Sequence, residues 1–287
     1  MRTVPFFVEG IGGMKVVGID PLPGATICLH GGPGGNCLSL YPFFPPEHLA
    51  GDWFFADLPN HGRSESTGGD FSPATCIARL ERFAATLEGP LRVLGLSWGA
   101  NVALRWASDH PARFSAFVAI SGARDLQAII KHQSRVIATM PPALLERMAR
   151  ASAAQGKERE YLSNRIYIET LAHWMRDNPG LAVYREKTLA FTPCPEANAG
   201  YLKHWLEPEL FAERVHGQLV WLRGAGVPAL LIQGKDDRMG DAPCWMASDT
   251  EGTGATVLYI SNAGHCPFVD QPDIFFSAVR TFFTSNR

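Results

Sequence analysis

Residues 91–107 read LRVLGLSWGANVALRWA, and this stretch decides the fold. Its first six residues are largely apolar, as expected of a strand that is buried on both faces of a sheet. The residues from Trp98 onward are predicted to form a helix, so Ser97 falls where the strand joins the helix. Gly95 and Gly99 flank the serine and leave room for a sharp, strained turn that exposes its hydroxyl at the helix N-terminus.

Seven further short apolar runs are predicted strands, near residues 4–8, 14–19, 25–29, 52–57, 114–120, 228–233 and 256–261. Several of them are nearly continuous in apolar residues, which favours a parallel sheet covered by helices on both faces. Helices are predicted at 73–87, 98–109 and 270–283. Strands and helices therefore alternate along the chain, which predicts an α/β fold with a doubly wound sheet and right-handed crossovers.

The interval from Ala123 to Val227 interrupts this alternation because it contains no clear strand. It is predicted to be helical, with breaks at its prolines. Its length far exceeds the few residues that usually connect a strand to a helix. We therefore predict a core domain formed by residues 1–122 and 228–287, and a helical cap subdomain, residues 123–227, that lies over the sheet.

The composition is that of an ordinary globular protein, for which a small-molecule substrate is the simpler expectation. Of the 287 residues, 46% are apolar and 19% are charged, and the formal net charge is -2. The sequence contains no dense run of Lys and Arg, so nucleic-acid binding is not expected. No apolar stretch approaches the roughly 18 residues of a membrane span. No signal peptide is recognised, and the six cysteines are scattered without a CxxC pair. These features predict a cytoplasmic protein; they leave its oligomeric state open.

His265 is the candidate base for Ser97. A serine hydroxyl is a weak nucleophile and needs a base within hydrogen-bonding reach, together with a third group that orients the base. His265 lies in the segment AGHCPF at 263–268, between the last predicted strand and the last predicted helix. A side chain in that loop lies at the carboxyl edge of the sheet, where Ser97 is also expected.

The third group is expected between the serine and the histidine in chain order. Asp237 follows a buried strand and is the first choice for orienting the imidazole and stabilising its cationic form. Its neighbour Asp236 is an alternative, and Asp125, after the strand at 114–120, is another.

A glycine-rich segment, HGGPGG at residues 30–35, directly follows the strand at 25–29. We call it the glycine loop. Its glycines allow backbone N–H groups to face a ligand, and acyl transfer requires such donors for the oxyanion that it creates. We assign the two donors to the N–H groups of Gly32 and Trp98. His30 is interpreted as a structural residue that braces the loop.

Five motifs occur in an order that resembles the α/β-hydrolase superfamily over nearly the whole chain: HGGPG at 30–34, DLPNHGRS at 57–64, GLSWG at 95–99, GKDD at 234–237 and AGH at 263–265. The resemblance implies an eight-stranded sheet with a cap inserted after the sixth strand. It also implies a Ser-Asp-His triad that works without a cofactor. The Cys and His spacings match no zinc site, so no metal is expected either.

HGGPG together with a Trp after the nucleophile is similar to the proline iminopeptidases, which hold the substrate amine with cap glutamates. The sequence departs from that pattern in two places, at residues 57–64 and in SGARD at 121–125. The cap acids Glu169, Glu207, Glu209 and Glu213 match no amine-binding motif. Asp57 and Arg63 are interpreted as bracing the loop after the fourth strand.

The wall of the substrate pocket is expected to include apolar and aromatic side chains. The candidates are Met140, Trp174 and Trp205 in the cap, and Phe268 just after the predicted base.

These observations predict a serine hydrolase that cleaves an ester or lactone of a mid-sized, largely apolar small molecule. Three alternatives remain: an aminopeptidase that releases N-terminal proline, another reaction on the same catalytic residues such as acyl transfer or C–C bond hydrolysis, and a ligand-binding receptor with little turnover. Fold alone does not distinguish them.

Overall fold

The computed structural model describes residues 2–123, 126–174, 179–188, 190, 193–205, 211–239 and 250–286. Within these ranges the backbone alone is described at residues 126, 127, 160, 172–174, 205 and 211–214.

A single eight-stranded sheet forms the centre of the molecule, in the order β1-β2-β4-β3-β5-β6-β7-β8. β2 runs antiparallel to both of its neighbours, and every other adjacent pair is parallel. The predicted mostly parallel α/β sheet is thereby confirmed. The strands are β1 (Thr3–Val8), β2 (Ile11–Val17), β3 (Asp20–Leu29), β4 (Ala50–Ala56), β5 (Leu91–Leu96), β6 (Phe114–Ile120), β7 (Ala229–Gly234) and β8 (Thr256–Ile260).

Two strands begin at least three residues earlier than predicted. β2 includes Gly12 and Gly13, which look like turn residues in the sequence. A Cβ on Gly13 would lie 2.1 Å from the Phe55 carbonyl oxygen, so β4 can pair with β2 at this position only because the residue is glycine. β3 begins five residues before the predicted position, at Asp20, and its pairing with β4 shifts register between Asp20 and Ala25. Pro21 and Pro23 lie in this interval, where missing N–H groups interrupt a regular ladder.

Ten α-helices are present among the described residues: α1 (Pro73–Ala84), α2 (Trp98–Asp109), α3 (Leu126–Ala138), α4 (Pro142–Ala153), α5 (Gly156–Trp174), α6 (Pro179–Lys187), α7 (Pro195–Trp205), α8 (Phe211–Gly224), α9 (Pro267–Asp270) and α10 (Pro272–Ser285). The three helices predicted within the core agree with α1, α2 and α10 to within a few residues. α1 begins as its sequence indicates, since the Ser72 hydroxyl accepts a hydrogen bond from the Thr75 N–H and Pro73 occupies the first turn.

Buried apolar side chains cover both faces of the sheet. On one face, the fully buried Trp106 of α2 packs edge-on against Phe114, with ring centroids 4.9 Å apart. On the other face, Phe44 lies between Phe55 and Phe275 of α10. Each fully buried aromatic or aliphatic side chain of this kind contributes about 1.5–3 kcal/mol through the hydrophobic effect. The two layers hold the strands in place, and the strands position the loops at their carboxyl ends.

The segment between β6 and β7 contains α3 to α8 and no strand among its described residues. α8 packs on α2, and its Val215, Leu219 and Leu222 belong to the same buried cluster as the sheet residues. By its packing, α8 is therefore a helix of the core layer. In the described part of the chain, no helix is both long and apolar enough to cross a bilayer.

Candidate active site

Ser97 lies on a sharp turn between β5 and α2, with φ 54° and ψ -123°. Positive φ is strained for a residue other than glycine and persists only when the surroundings enforce it. Two backbone hydrogen bonds do so here. The Ser97 N–H donates to the Ile120 carbonyl at 2.7 Å, and the Ala100 N–H donates to the Ser97 carbonyl at 2.9 Å.

The two glycines that flank Ser97 are required by close backbone contacts. A Cβ on Gly95 would lie 2.3 Å from the Gly99 carbonyl oxygen, and a Cβ on Gly99 would lie 2.3 Å from the His30 carbonyl oxygen. Any larger residue would force the strand and the helix apart. The sequence therefore folds into this turn because Gly95 and Gly99, on either side of the serine, have no side chains.

His265 and Asp237 form a hydrogen-bonded pair at the carboxyl ends of β8 and β7. The distance from His265 Nδ1 to Asp237 Oδ2 is 2.9 Å, and the side chains are 12% and 3% exposed. Asp237 also accepts from Gln233 Nε2 at 2.8 Å and from the Met239 N–H at 2.9 Å. The carboxylate is therefore fixed in position and directs the proton of His265 to Nδ1, which leaves Nε2 as an acceptor.

The pKa of Asp237 lies below its ordinary value despite its burial. Desolvation alone raises this pKa, but the attraction of His265 and the hydrogen bonds from His265, Met239 and Gln233 lower it further than burial raises it. Asp237 is accordingly an anion at neutral pH and stabilises positive charge on the imidazole.

The two alternative acids do not take this place in the described structure. Asp236 is exposed, whereas its neighbour Asp237 contacts His265. Asp125 lies outside the described residues.

A cavity of about 290 Å³ opens beside Ser97. Both Ser97 and His265 line it, as does Gly32. The other described residues of its wall are Gly31, Pro33, Gly34, Gly35, Ser39, Leu96, Tyr167, Leu171, Tyr184, Pro193, Asn198, Met239 and Cys266. No Asp or Glu is among these described wall residues, and the described part of the chain contains no cluster of three or more His, Cys, Asp or Glu side chains suited to a metal.

The predicted pocket residues and the observed wall differ. Phe268 is 1% exposed and packs in the core against Phe43 and Phe44, and Met140 is also buried away from the described wall. The side chains of Trp174 and Trp205 lie outside the described part of the structure.

Sequence reasoning missed the two tyrosines that form part of the wall. Tyr167 and Tyr184 come from α5 and α6, and their hydroxyl oxygens are 3.0 Å apart. No motif marks them. The available signal was the abundance of aromatic residues in the inserted segment, which does not say which of them reach the cavity.

The glycine loop is braced from the core by His30. His30 Nε2 accepts from the Leu58 N–H at 3.0 Å, so the proton of His30 is on Nδ1, which donates to the Gly31 carbonyl at 2.9 Å. The Gly31 carbonyl and the Gly32 N–H belong to one trans peptide and point in opposite directions. The bond from His30 therefore directs the Gly32 N–H away from His30.

A second buried imidazole, His61, continues this bracing. Its Nε2 accepts from the Gly34 N–H and its Nδ1 donates to the Pro59 carbonyl, at 2.9 and 2.8 Å. The rings of His30 and His61 lie 4.9 Å apart. Burial lowers the pKa of His30 to about 4; burial and the neighbouring His30 lower the pKa of His61 to about 3. Both imidazoles are neutral at physiological pH, which preserves the acceptor nitrogens that hold the loop.

Asp57 braces the loop after β4, in agreement with the interpretation from the sequence. Its buried carboxylate accepts from the N–H of Cys37 at 2.6 Å and from the N–H of Arg63 at 2.8 Å. A Cβ on Gly62 would lie 2.3 Å from this carboxylate, so the turn requires glycine.

The acids singled out in the cap show no amine-binding arrangement in the described structure. Glu169 forms an ion pair with Arg147. Glu207 and Glu209 lie outside the described residues, as does the side chain of Glu213.

The comparisons with known proteins identify the family. Residues 26–278 match the model of the alpha/beta hydrolase family, so the chain belongs to this family. A search of curated protein sequences found no match.

Solved structures of similar fold cover nearly the whole chain. One is an esterase from a Rhodococcus species, with 16% identity, 100% of each chain covered and a TM-score of 0.67. Another is a proline iminopeptidase from Mycobacterium smegmatis, with 17% identity, 99% of this chain and 98% of that chain covered, and a TM-score of 0.64. A third is a bacterial membrane phospholipase A, with 20% identity, 99% and 86% covered, and a TM-score of 0.63. At these identities the likeness concerns the fold.

His61→Gln is expected to weaken the loss of stability in acid. The pKa of His61 is 6.5 ordinarily and about 3 in the folded protein, so below pH 6.5 the unfolded chain binds a proton that the folded chain excludes. This contribution to stability is complete above pH 6.5 and is lost as the pH falls toward 3, at about 1.4 kcal/mol per pH unit. Glutamine can accept the Gly34 N–H but does not titrate. Urea unfolding at pH 6.5 and 5 should show the smaller decrease in the variant.

The exposed His216→Gln is the matched control and should keep the wild-type decrease between the two pH values. Equal decreases in wild type and in the His61 variant would contradict the neutral, buried imidazole.

Proposed function

We propose that the protein is a serine hydrolase that cleaves an ester or lactone of a mid-sized, largely apolar small molecule. One observation carries the proposal: Ser97, strained on its turn, and His265, paired with the buried Asp237, line the same cavity. A nucleophile, a base and an orienting anion are the parts that acyl transfer through serine requires.

In the proposed reaction, Ser97 Oγ attacks the substrate carbonyl carbon while its proton passes to His265 Nε2. The resulting oxyanion accepts hydrogen bonds from the N–H groups of Gly32 and Trp98. His265 then donates the proton to the leaving oxygen, the C–O bond breaks, and an acyl group remains on Ser97. Asp237 stays ionised and stabilises the imidazolium.

Water completes the cycle. His265 takes a proton from a water molecule, whose oxygen attacks the acyl carbon. The second tetrahedral intermediate collapses, His265 returns the proton to Ser97 Oγ, and the carboxylic acid is released. Every step uses groups of this chain and water.

The cavity wall supports an apolar substrate of modest size. Leu96, Leu171 and Met239 supply aliphatic surface, and the volume of about 290 Å³ lies at the lower end of the range for small-molecule sites. Among the described wall residues there is no carboxylate to pair with a substrate amine. This favours an ester or lactone over a peptide with a free amino terminus.

The cysteines support the proposal of a cytoplasmic enzyme. Cys28, Cys37, Cys76, Cys194 and Cys266 are all free thiols. Thiols remain reduced in the cytosol, whereas oxidising compartments favour disulfides.

The proposal is tested with p-nitrophenyl butyrate and prolyl-p-nitroanilide as parallel substrates for the purified protein. We expect ester cleavage without anilide cleavage, and we expect Ser97→Ala to lower kcat for the ester by roughly 10³-fold or more, because the nucleophile is lost. Undiminished activity in this variant would refute the assignment. Ser97-dependent cleavage of the anilide would instead indicate the aminopeptidase.

Asp237→Asn and Asp236→Asn form a matched pair that tests the identity of the orienting acid. The first change removes the charge that stabilises the imidazolium and is expected to lower kcat by roughly 10²- to 10⁴-fold. The second is expected to leave kcat within about twofold, because the Asp236 side chain is exposed. Steady-state kinetics on p-nitrophenyl butyrate measure both, and the reverse ranking would assign the role to Asp236.

A further inference from the structure

The glycine loop contains four glycines among residues 31–35, and glycine has the greatest backbone freedom of any residue. The N–H of Gly32 can serve as an oxyanion donor only if this backbone is fixed before the substrate arrives, because preorganised donors need no rearrangement during the reaction. His30 and His61 hold the loop from the side of the core.

Helix α7 of the inserted segment holds the same loop from the opposite side. Asn198 Nδ2 donates to the Pro33 carbonyl at 2.6 Å. Just before the helix, the Cys194 N–H donates to the Gly34 carbonyl at 2.8 Å. Both residues approach Gly34 closely, since a Cβ on Gly34 would lie 2.9 Å from the Cys194 carbonyl oxygen and 3.0 Å from the Asn198 Cβ.

Helix α7 is itself packed on the core. Tyr201 is 1% exposed, donates to the Pro59 carbonyl at 2.9 Å, and packs against Trp98 with ring centroids 5.0 Å apart. A Cβ on Gly200 would lie 2.3 Å from the ring of Phe71, which shows how closely the helix approaches the core. Asn198 therefore extends to the loop from a fixed support.

The peptide between Pro33 and Gly34 is held at both ends. Its N–H donates to His61 Nε2, and its carbonyl accepts from Asn198 Nδ2. The two groups of a trans peptide point in opposite directions, so the pair of bonds fixes the rotation of this plane. Only Pro33 separates this peptide plane from Gly32. The proline ring restricts the φ angle of Pro33, so fixing the plane also limits the movement of the Gly32 backbone.

We propose that Asn198 is a positioning residue for the oxyanion donor: it fixes the glycine loop from α7 and thereby keeps the Gly32 N–H in place. The inference rests on the proposed function, in which Gly32 stabilises the oxyanion. Asn198 touches no reacting atom in this role and acts through the backbone of the loop.

The test is Asn198→Leu, which keeps a side chain of similar size and removes the donor. With p-nitrophenyl butyrate we expect kcat to fall about tenfold and KM to stay within about twofold of the wild-type value. This fall is smaller than the roughly 10²- to 10³-fold loss of kcat that follows complete removal of an oxyanion donor. The inhibition constant of 1,1,1-trifluoroheptan-2-one, which forms a hemiketal oxyanion with an active serine, should rise by a similar factor. That of heptan-2-one, which forms no stable adduct, should change less than twofold.

Two further variants complete the design. Asn198→Ala also removes the donor, adds no charge to the cavity wall and is expected to share the defect; it carries the test if the leucine variant does not fold, as judged by thermal unfolding. Lys203→Ala shortens an exposed side chain of the same helix and should leave kcat unchanged.

The inference is overturned if kcat and the trifluoroketone constant are unchanged, or if both ketones lose affinity equally, which would indicate an altered cavity. In either case, Ser97-dependent ester cleavage by the wild type would leave the proposed function standing. Absence of that cleavage in the wild type would refute the proposed function itself.

Discussion

The close approach between the first turn of α2 and the end of β3 is the constraint on which the site depends. A Cβ on Gly99 would lie 2.3 Å from the His30 carbonyl oxygen, so the approach requires glycine. In the chain, Ser97 lies two residues before Gly99, and the glycines of the glycine loop directly follow His30. Ser97 and the glycine loop are therefore neighbours because two backbones nearly touch: a Cβ on Gly31 would lie 3.3 Å from the Ser97 Cβ.

The site uses imidazoles in two electrostatic settings. Burial lowers the pKa of both His30 and His61 and outweighs the attraction of Asp57 for His61, so both imidazoles stay neutral as fixed donors and acceptors. His265 is instead paired with Asp237, whose own pKa is lowered so that it remains an anion. Burial thus keeps neutral the two imidazoles that hold backbone groups, whereas the buried anion Asp237 stabilises positive charge on His265.

Local backbone constraints explain what the sequence could predict. The turn at Ser97 and the glycine loop need glycine at fixed positions after a strand, and the loop of His265 approaches Gly234 so closely that a Cβ there would lie 2.1 Å from the Gly264 carbonyl oxygen. Short motifs therefore identify all three segments. The wall of the cavity is different, because it depends on how the helices between β6 and β7 dock. Phe268 follows His265 closely in the chain yet packs in the core, while Tyr184 reaches the cavity without any motif.

The central claim is that Ser97 forms a covalent acyl intermediate, and labelling with a fluorophosphonate ester tests it most directly. An activated serine attacks the phosphorus and releases fluoride, which leaves a stable phosphonyl adduct. Mass spectrometry of the intact protein followed by peptide mapping should find one adduct per chain, on Ser97, and none in the Ser97→Ala variant. Full recovery of unlabelled protein, or an adduct on another residue with Ser97 unmodified, would contradict the account.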